Sequence, residues 1–324
     1  MRISSGFRFL TCLAGAGLAL SACGAPSGEA GNSESEDSLA VVASTDVYGS
    51  IARQIGGDRV RVSSIISGPT QDPHSYEATV RDKLAVSEAD VVVLNGGGYD
   101  GFMEKLTDSV EMPADRVISA VDVSGLNHEA GEDAHGGEEP QQEEDHHDHG
   151  TVNEHVWYDL HSMTLLVAEI ARVLGEADPG GAVEFDRNAE NVTSSLNALE
   201  EDLVALAQKT DGASIAVTEP VPLYLLEDAG FENLTPADYT EALEEGTDVS
   251  IVAMRNMEQL VSEKDISFLA YNQQTESQQT EAVRDVAEKA GVPVVNFTET
   301  LPEDQEYVEW MEQNVEAVTH AVGK

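Results

Sequence analysis

Short apolar runs alternate with amphipathic stretches along the first part of this chain of 324 residues. The runs are rich in Val and Ile and end in small or polar residues, which is typical of buried parallel strands. The predicted strands are LAVVAST (39–45), RVRVSSII (59–66), DVVVLNGGG (90–98) and DRVISAV (115–121). The stretches between them predict the helices VYGSIARQIGG (47–57), ATVRDKLAVSEA (78–89) and DGFMEKLTDSV (100–110). This alternation predicts βαβ units and a parallel sheet covered by helices.

The pattern changes after residue 126. The stretch 127–150 has almost no apolar residues, so we expect a disordered loop rich in acids and histidines rather than a core element. Two amphipathic helices are predicted after it, at 160–179 and at 182–210. In the longer one, Leu196, Leu199, Leu203 and Leu206 repeat at helical spacing.

The strand and helix alternation then resumes. The predicted strands are ASIAVTE (213–219), FLAYN (268–272) and VPVVNFTE (292–299), and the predicted helices cover 220–230, 281–291 and 306–322. We therefore predict an α/β fold with two lobes, each a parallel sheet with covering helices, joined by a long backbone helix. The predicted boundaries are 39–180 for the N-terminal lobe, 181–211 for the linking helix and 212–324 for the C-terminal lobe.

The first residues predict a targeting segment. Arg2 and Arg8 supply positive charge before an apolar run that is too short to span a bilayer and that ends in LSAC (20–23). That spacing resembles a bacterial lipobox, so we expect residues 1–22 to be a signal peptide and Cys23 to carry a lipid. The alternative is an ordinary secretory signal with an incidental cysteine. The polar stretch 23–38 predicts a flexible tether, which gives an extracytoplasmic protein anchored to the cell membrane.

Charge and cysteine count narrow the function. A formal net charge of −44 excludes a nucleic-acid-binding protein, because phosphate backbones need clustered Lys and Arg, and it suits a protein that handles cations. The two cysteines are Cys12, inside the signal, and Cys23, so we expect no disulfide. We also expect a monomer.

Four side chains that can bind metal lie at or near strand ends, where open parallel sheets place their ligands. His74 follows the second strand, and Asp72-Pro73 favours a turn before it. His155 follows the acidic tract, whereas Glu219 and Glu299 end two strands of the second lobe. Each residue has an alternative role, as a surface histidine, a helix N-terminal charge or a solvated strand end.

Three motifs carry a family resemblance. DPHSYE (72–77), NEHVWYDL (153–160) and VNFTETL (295–301), in this order after a lipobox, resemble the zinc- and manganese-type solute-binding lipoproteins of bacterial ABC importers. The resemblance implies a fold of the cluster A-I type and His74, His155, Glu219 and Glu299 as metal ligands. It also implies a transported metal, with an ABC permease and its ATPase as partners.

The chain departs from the family pattern at three places. Asn153 and Glu154 stand where Asp-Pro is usual, and Glu219 stands where zinc-type members carry a histidine. Asn272 occupies a position where many relatives have a Glu. The third ligand therefore stays open between Glu219 and the region of Asn272.

Nitrogen and oxygen ligands without thiolate suit zinc, manganese or ferrous iron. The loop at 127–150 favours zinc, with manganese as the alternative, because flexible imidazole-rich segments bind zinc. We expect a weak, dynamic accessory site formed by His128, His135, His146, His147 and His149. The alternative is a solvated acidic loop.

The predicted function is capture of a divalent transition metal and its delivery to a permease. An extracytoplasmic zinc metallohydrolase is the alternative of another class, but the chain has no HExxH segment and no evident Ser or Cys nucleophile motif. A metal-dependent adhesin with the same fold is a third possibility that the sequence leaves open. Because the sequence shows no catalytic motif, we expect that the protein is not an enzyme.

Overall fold

A computed structural model of the chain describes residues 38–126, 153–244, 246–263 and 265–323. Cys23 and the five predicted accessory histidines lie outside these residues. None of the helices in the described part of the chain combines the length and apolar character needed to cross a membrane.

The N-terminal lobe contains a parallel sheet of four strands in the order β2-β1-β3-β4. The first strand lies between the second and the third, and Val41 is opposite both Val62 and Val91. The strands are β1 (Leu39–Thr45), β2 (Val60–Ile66), β3 (Val91–Leu94) and β4 (Val117–Ser119).

The C-terminal lobe repeats this arrangement. Its four parallel strands lie in the order β6-β5-β7-β8, so the first strand of the lobe is again flanked by the second and third. The strands are β5 (Ser214–Val217), β6 (Glu232–Asn233), β7 (Leu269–Asn272) and β8 (Val294–Phe297). In such sheets the point where the strand order reverses is where ligands bind, beyond the carboxyl ends of the strands.

Helices cover both sheets. They are α1 (Asp46–Gly56), α2 (Val80–Ser87), α3 (Gly101–Ser109), α4 (Ala120–Ser124), α5 (Leu160–Ala177), α6 (Ala182–Thr210), α7 (Leu223–Asp228), α8 (Ala237–Glu244), α9 (Ile251–Glu263), α10 (Gln278–Ala290) and α11 (Tyr307–Val322). Two of them begin with a capping box, in which a hydroxyl at the N-cap and a side chain three residues later satisfy each other's backbone N–H groups. Thr79 and Asp82 form the box of α2, and Ser277 and Thr280 form that of α10.

One hydrophobic core runs through both lobes. The long helix α6 buries Leu196, Leu199, Leu203 and Leu206, the residues that the sequence pattern singles out. They belong to one cluster with Val41 of β1 and Val217 of β5, and separate clusters lie on the other face of each sheet. This confirms the α/β fold with two parallel sheets and covering helices, and α6 falls within the segment predicted as the linking helix.

The structure differs from the predicted elements at several places. The strand predicted at 90–98 ends at Leu94, because the three glycines at 96–98 adopt positive φ. Ala120 and Val121 start α4 instead of ending β4, because the Ser119 hydroxyl accepts the N–H of Asp122 and begins a helix there. The sequence pattern did not predict β6, α8 and α9. Glu219 and Glu299 do not end strands but lie two residues beyond the last residues of β5 and β8.

Candidate metal site

His74, His155 and Glu299 converge between the two sheets. Their ligand atoms all lie within 4.8 Å of one another. His74 lies in the loop between β2 and α2, where the Asp72 carboxylate accepts the backbone N–H of His74 at 3.0 Å and the Ser75 hydroxyl at 2.8 Å. This turn holds the His74 side chain with 37% of its surface exposed, so one of the three side chains faces solvent.

The His155 imidazole is buried and has a fixed orientation. Its Nδ1 lies 2.6 Å from Oδ1 of Asn153, and the Asn153 amide nitrogen donates to the Pro220 carbonyl at 2.9 Å. Because that carbonyl can only accept, Oδ1 of Asn153 is the acceptor for Nδ1–H of His155. The hydrogen bond leaves Nε2 of His155 free to bind a metal.

Aromatic rings surround this imidazole. Trp157 lies 5.1 Å from His155 between ring centroids, and Tyr99 lies 5.9 Å away. Burial lowers the pKa of His155 well below its usual range, and the nearby His74 lowers it further. The ring is therefore neutral at physiological pH, which is the form that binds a metal.

The Glu299 carboxyl is 1% exposed and accepts two hydrogen bonds. Tyr99 Oη donates to its Oε2 at 3.2 Å, and Asn272 Nδ2 donates to its Oε1 at 2.8 Å. Burial raises the pKa of Glu299 to about 8, and the charges of Glu219 and Asp72 raise it while the Asn272 amide opposes the shift. Without a cation, this carboxyl carries a proton at neutral pH, and a bound metal would displace that proton.

Glu219 lies outside the group of three. Thr275 Oγ1 donates to its Oε1 at 2.5 Å, and Asn272 Nδ2 donates to its Oε2 at 2.6 Å. Burial raises the pKa of Glu219, and these two hydrogen bonds counteract that effect. Asn272 thus contacts both acids through its amide nitrogen, so this buried residue bridges Glu219 and Glu299 and does not itself present an oxygen to the site.

Tyr99 is a site residue that the sequence reasoning missed. It follows three glycines, Gly96 to Gly98, all with positive φ, and it connects the N-terminal lobe to Glu299. At Gly96 a Cβ would lie 2.5 Å from the Ser119 hydroxyl, so this turn requires glycine. A glycine run followed by an aromatic residue just after a buried strand is the signal that could have indicated it.

The other histidines of the described residues lie away from this group. His161 and His320 are exposed on the surfaces of α5 and α11. The group provides two imidazoles and one carboxylate, and the Asn272 side chain links it to the second carboxylate, that of Glu219. Together they form a nitrogen and oxygen donor set. Such a set suits zinc, manganese or ferrous iron.

Comparison with known proteins places this geometry in context. The model of the family described as zinc-uptake complex component A, periplasmic, matches residues 41–321. The manganese-binding lipoprotein MntA of Halalkalibacterium halodurans is 28% identical over 221 residues, which are 67% of this chain and 66% of that relative. The match therefore spans slightly less than two thirds of the relative's length.

Solved structures share the fold over nearly their whole length. The solute-binding protein FpvC of Pseudomonas aeruginosa, in complex with Ni²⁺, is 25% identical with a TM-score of 0.65, over 88% of this chain and 97% of FpvC. The periplasmic zinc-binding protein TroA of Treponema pallidum is 18% identical with a TM-score of 0.67, over 88% of this chain and 99% of TroA.

Proposed function

The chain belongs to the family of zinc-uptake complex component A, the metal-binding substrate-binding proteins of ABC transporters, and on that premise we propose that it captures a divalent transition metal outside the cytoplasm and delivers it to a permease. The observation that carries the proposal is the convergence of His74, His155 and Glu299 from two lobes within 4.8 Å. A transport family of this kind has no catalytic role, so we propose no reaction.

The proposed ligands are the two imidazoles and Glu299, with Glu219 as the fourth. For the histidines, support comes from the free Nε2 of His155 and from the position of His74 at the exposed side of the group. For Glu219, support comes from its partial burial and from Asn272, the hydrogen-bond donor that it shares with Glu299. A cation between the acids would relieve their mutual repulsion.

We propose zinc as the transported ion and manganese as the alternative. The two imidazoles and the description of the family support zinc. The oxygen donors and the resemblance to MntA support manganese equally well. The five accessory histidines of the loop remain a prediction.

The proposed partners are an ABC permease and its ATPase, and the proposed location is the outer face of the cell membrane. The lipobox-like LSAC sequence supports a lipid on Cys23, and MntA is itself named a lipoprotein. We propose a monomer, since each lobe of one chain already contributes to the site.

The proposed mechanism is chelation between the lobes. In the closed form His155 and Glu299 are buried, so they exclude water from the ion. Binding exchanges the Glu299 proton for the metal. Release follows when the lobes move apart, because no single lobe holds all the ligands.

Native mass spectrometry and calorimetry of the full chain test this function. We expect one tightly bound ion per chain, whose affinity falls by orders of magnitude in His155→Ala because a missing ligand leaves the ion undercoordinated. His320→Ala is the matched control, since it removes an exposed histidine from α11 and should bind as the wild type does. Equal affinities in the two variants would contradict the proposed site.

A further inference from the structure

Two amide side chains join the lobes beside the metal site, and neither belongs to the proposed ligands. Asn153 lies in the N-terminal lobe and Gln274 in the C-terminal lobe. In each, the amide oxygen accepts from a ligand residue of its own lobe, whereas the amide nitrogen donates to a backbone carbonyl of the opposite lobe.

The Asn153 amide connects His155 to the segment that carries Glu219. Its Oδ1 accepts from the backbone N–H of His155 at 3.2 Å and lies 2.6 Å from the His155 Nδ1. Its Nδ2 donates across the lobes to the carbonyl of Pro220 at 2.9 Å. An aspartate here could accept from His155 but would face the Pro220 carbonyl with an oxygen that cannot donate.

The Gln274 amide makes the same connection in the other direction. Its Oε1 accepts the backbone N–H groups of Glu299 at 3.0 Å and Thr300 at 3.1 Å. Its Nε2 donates to the carbonyl of Gln71 at 3.1 Å, in the loop that carries His74. Only an amide both accepts and donates with this geometry, because a carboxylate lacks the donor.

We infer that Asn153 and Gln274 are positioning residues that act as latches, each tying the orientation of one metal ligand to the closed state of the two lobes. This inference rests on the proposed function. When the lobes move apart, the bonds to Pro220 and Gln71 break, and the amides that orient His155 and Glu299 lose their anchor in the opposite lobe. Ligand geometry and lobe closure are therefore lost together, which favours release of the metal.

The test removes the donors and keeps the acceptors. In the zinc-loaded full chain, Asn153→Asp and Gln274→Glu should each speed zinc release into excess chelator by about three- to tenfold, the range for losing one hydrogen bond. The double variant should show roughly the product of the two effects, because both bonds break in one movement. Stopped-flow absorbance of the chelator measures the rate.

Two controls separate loss of the inter-lobe hydrogen bonds from the general effects of replacing an amide with an acid and of adding a charge near the site. Asn188→Asp makes the same substitution at an amide that donates to the Ile55 carbonyl at 2.9 Å, between α6 and α1. Gln71→Glu adds a carboxylate to the exposed part of the His74 loop and leaves the backbone carbonyl of residue 71 in place. Added negative charge should slow the release of a cation, so the expected acceleration is opposite in sign to a charge effect.

A distance measurement checks that the latches act through the lobes. Spin labels are placed on cysteines at Val80 and Ile251, which are 89% and 74% exposed, in a full chain with Cys12 and Cys23 replaced by serine. We expect the metal-free double variant to populate longer distances between the labels than the Asn188→Asp and Gln71→Glu controls, which keep both latches.

The outcomes are distinct. A wild-type chain that binds no metal would refute the proposed function itself. A wild type that binds metal, with latch variants that release zinc no faster than Gln71→Glu, would overturn the latch inference alone. Faster release with an unchanged distance distribution would overturn it as well.

Discussion

The proposed metal ligands of the two lobes differ in their electrostatic state. The N-terminal lobe offers His74 and His155, and burial keeps His155 neutral and ready to bind. The C-terminal lobe offers the half-buried Glu219 and the buried Glu299, whose pKa values are both raised and which share the amide of Asn272. The His155 imidazole is therefore ready for a metal without proton exchange, whereas Glu299 must release a proton before it binds one.

This difference indicates where the binding free energy originates. The neutral His155 imidazole carries no charge in the metal-free protein, so it adds no electrostatic cost there. Crowded carboxylates destabilise the metal-free protein, and the metal both binds to them and removes that destabilisation. Variants of the two lobes should consequently differ in the stability of the metal-free protein, even where they lose the same amount of metal affinity.

The largest effect is expected from Glu299→Gln. Zinc affinity should fall by orders of magnitude, while the metal-free protein should melt at a higher temperature at pH 8, because a neutral amide replaces a buried acid that is half ionised there. Glu288→Gln, at an exposed position of α10, is the control. Calorimetry and thermal melts measure both quantities, and a lower melting temperature for Glu299→Gln would contradict the proposed destabilisation.

The pH dependence should separate the two forms of the protein. The folded-state pKa of Glu299, about 8, lies above its unfolded value, so its stabilising contribution is present at low pH and is lost as pH rises through 8. The folded-state pKa of His155 is lowered, so this residue reduces stability only as pH falls below about 6.5, where the unfolded state gains a proton that the folded state does not. Between about pH 6.5 and 8 the metal-free melting temperature should therefore fall as pH rises.

Zinc affinity should rise over the same interval, because fewer protons compete for Glu299. In Glu299→Gln the metal-free melting temperature should depend less steeply on pH over this interval. The contributions of the other titratable groups should stay unchanged. Thermal melts with chelator and titrations in matched buffers measure the two trends. Identical slopes in the wild type and in Glu299→Gln would show that Glu299 is not the titrating group.

A smaller effect is expected from Asn272→Asp. The change removes the donor shared by Glu219 and Glu299 and adds a third acid beside them, so the metal-free protein should lose about 1–3 kcal/mol of stability. Asn296→Asp, an exposed position on β8, is the control. Denaturant unfolding at neutral pH measures the loss, and equal values for both variants would argue against a bridging role for Asn272.

The smallest effect is expected from Tyr99→Phe. It removes one 3.2 Å hydrogen bond to Glu299 and keeps the ring that contacts His74 at 4.8 Å, so zinc affinity should fall about two- to tenfold. Tyr76→Phe is the matched control, because its hydroxyl donates to Asp82 at 2.9 Å, at the start of α2. A calorimetric titration compares them, and equal affinities would place Tyr99 outside the site.

Much of the fold follows from the sequence because its signals are local. Buried strands and the Leu repeat of α6 are visible as hydrophobic patterns. The region of β6, α8 and α9 was not predicted, since β6 has only two residues and α9 begins with Ile251 and Val252 exposed to solvent. Apolar residues that face water weaken the periodic signal.

The site was predictable only in part for a different reason. His74 and Glu299 follow strands of two different sheets, and the family motifs, rather than strand geometry alone, grouped them with His155. The bridge made by Asn272 depends on β5 and β7 being neighbours, and the partners of Asn153 and Gln274 lie in the opposite lobe. The residues in these contacts are far apart in the sequence, so a local sequence pattern cannot indicate that they meet.

The core shared by the lobes limits how far they can travel. Tyr158 packs its ring 5.9 Å from Phe297 and donates to the Thr298 carbonyl at 2.8 Å, while Tyr307 donates to the Trp157 carbonyl at 2.6 Å. A wide hinge opening would expose these aromatic rings to water. A shift of about 1 Å, by contrast, breaks an N–H···O hydrogen bond while preserving most apolar contacts. We therefore expect metal exchange to require only a movement of small amplitude, and unfolding to proceed as one cooperative transition of both lobes.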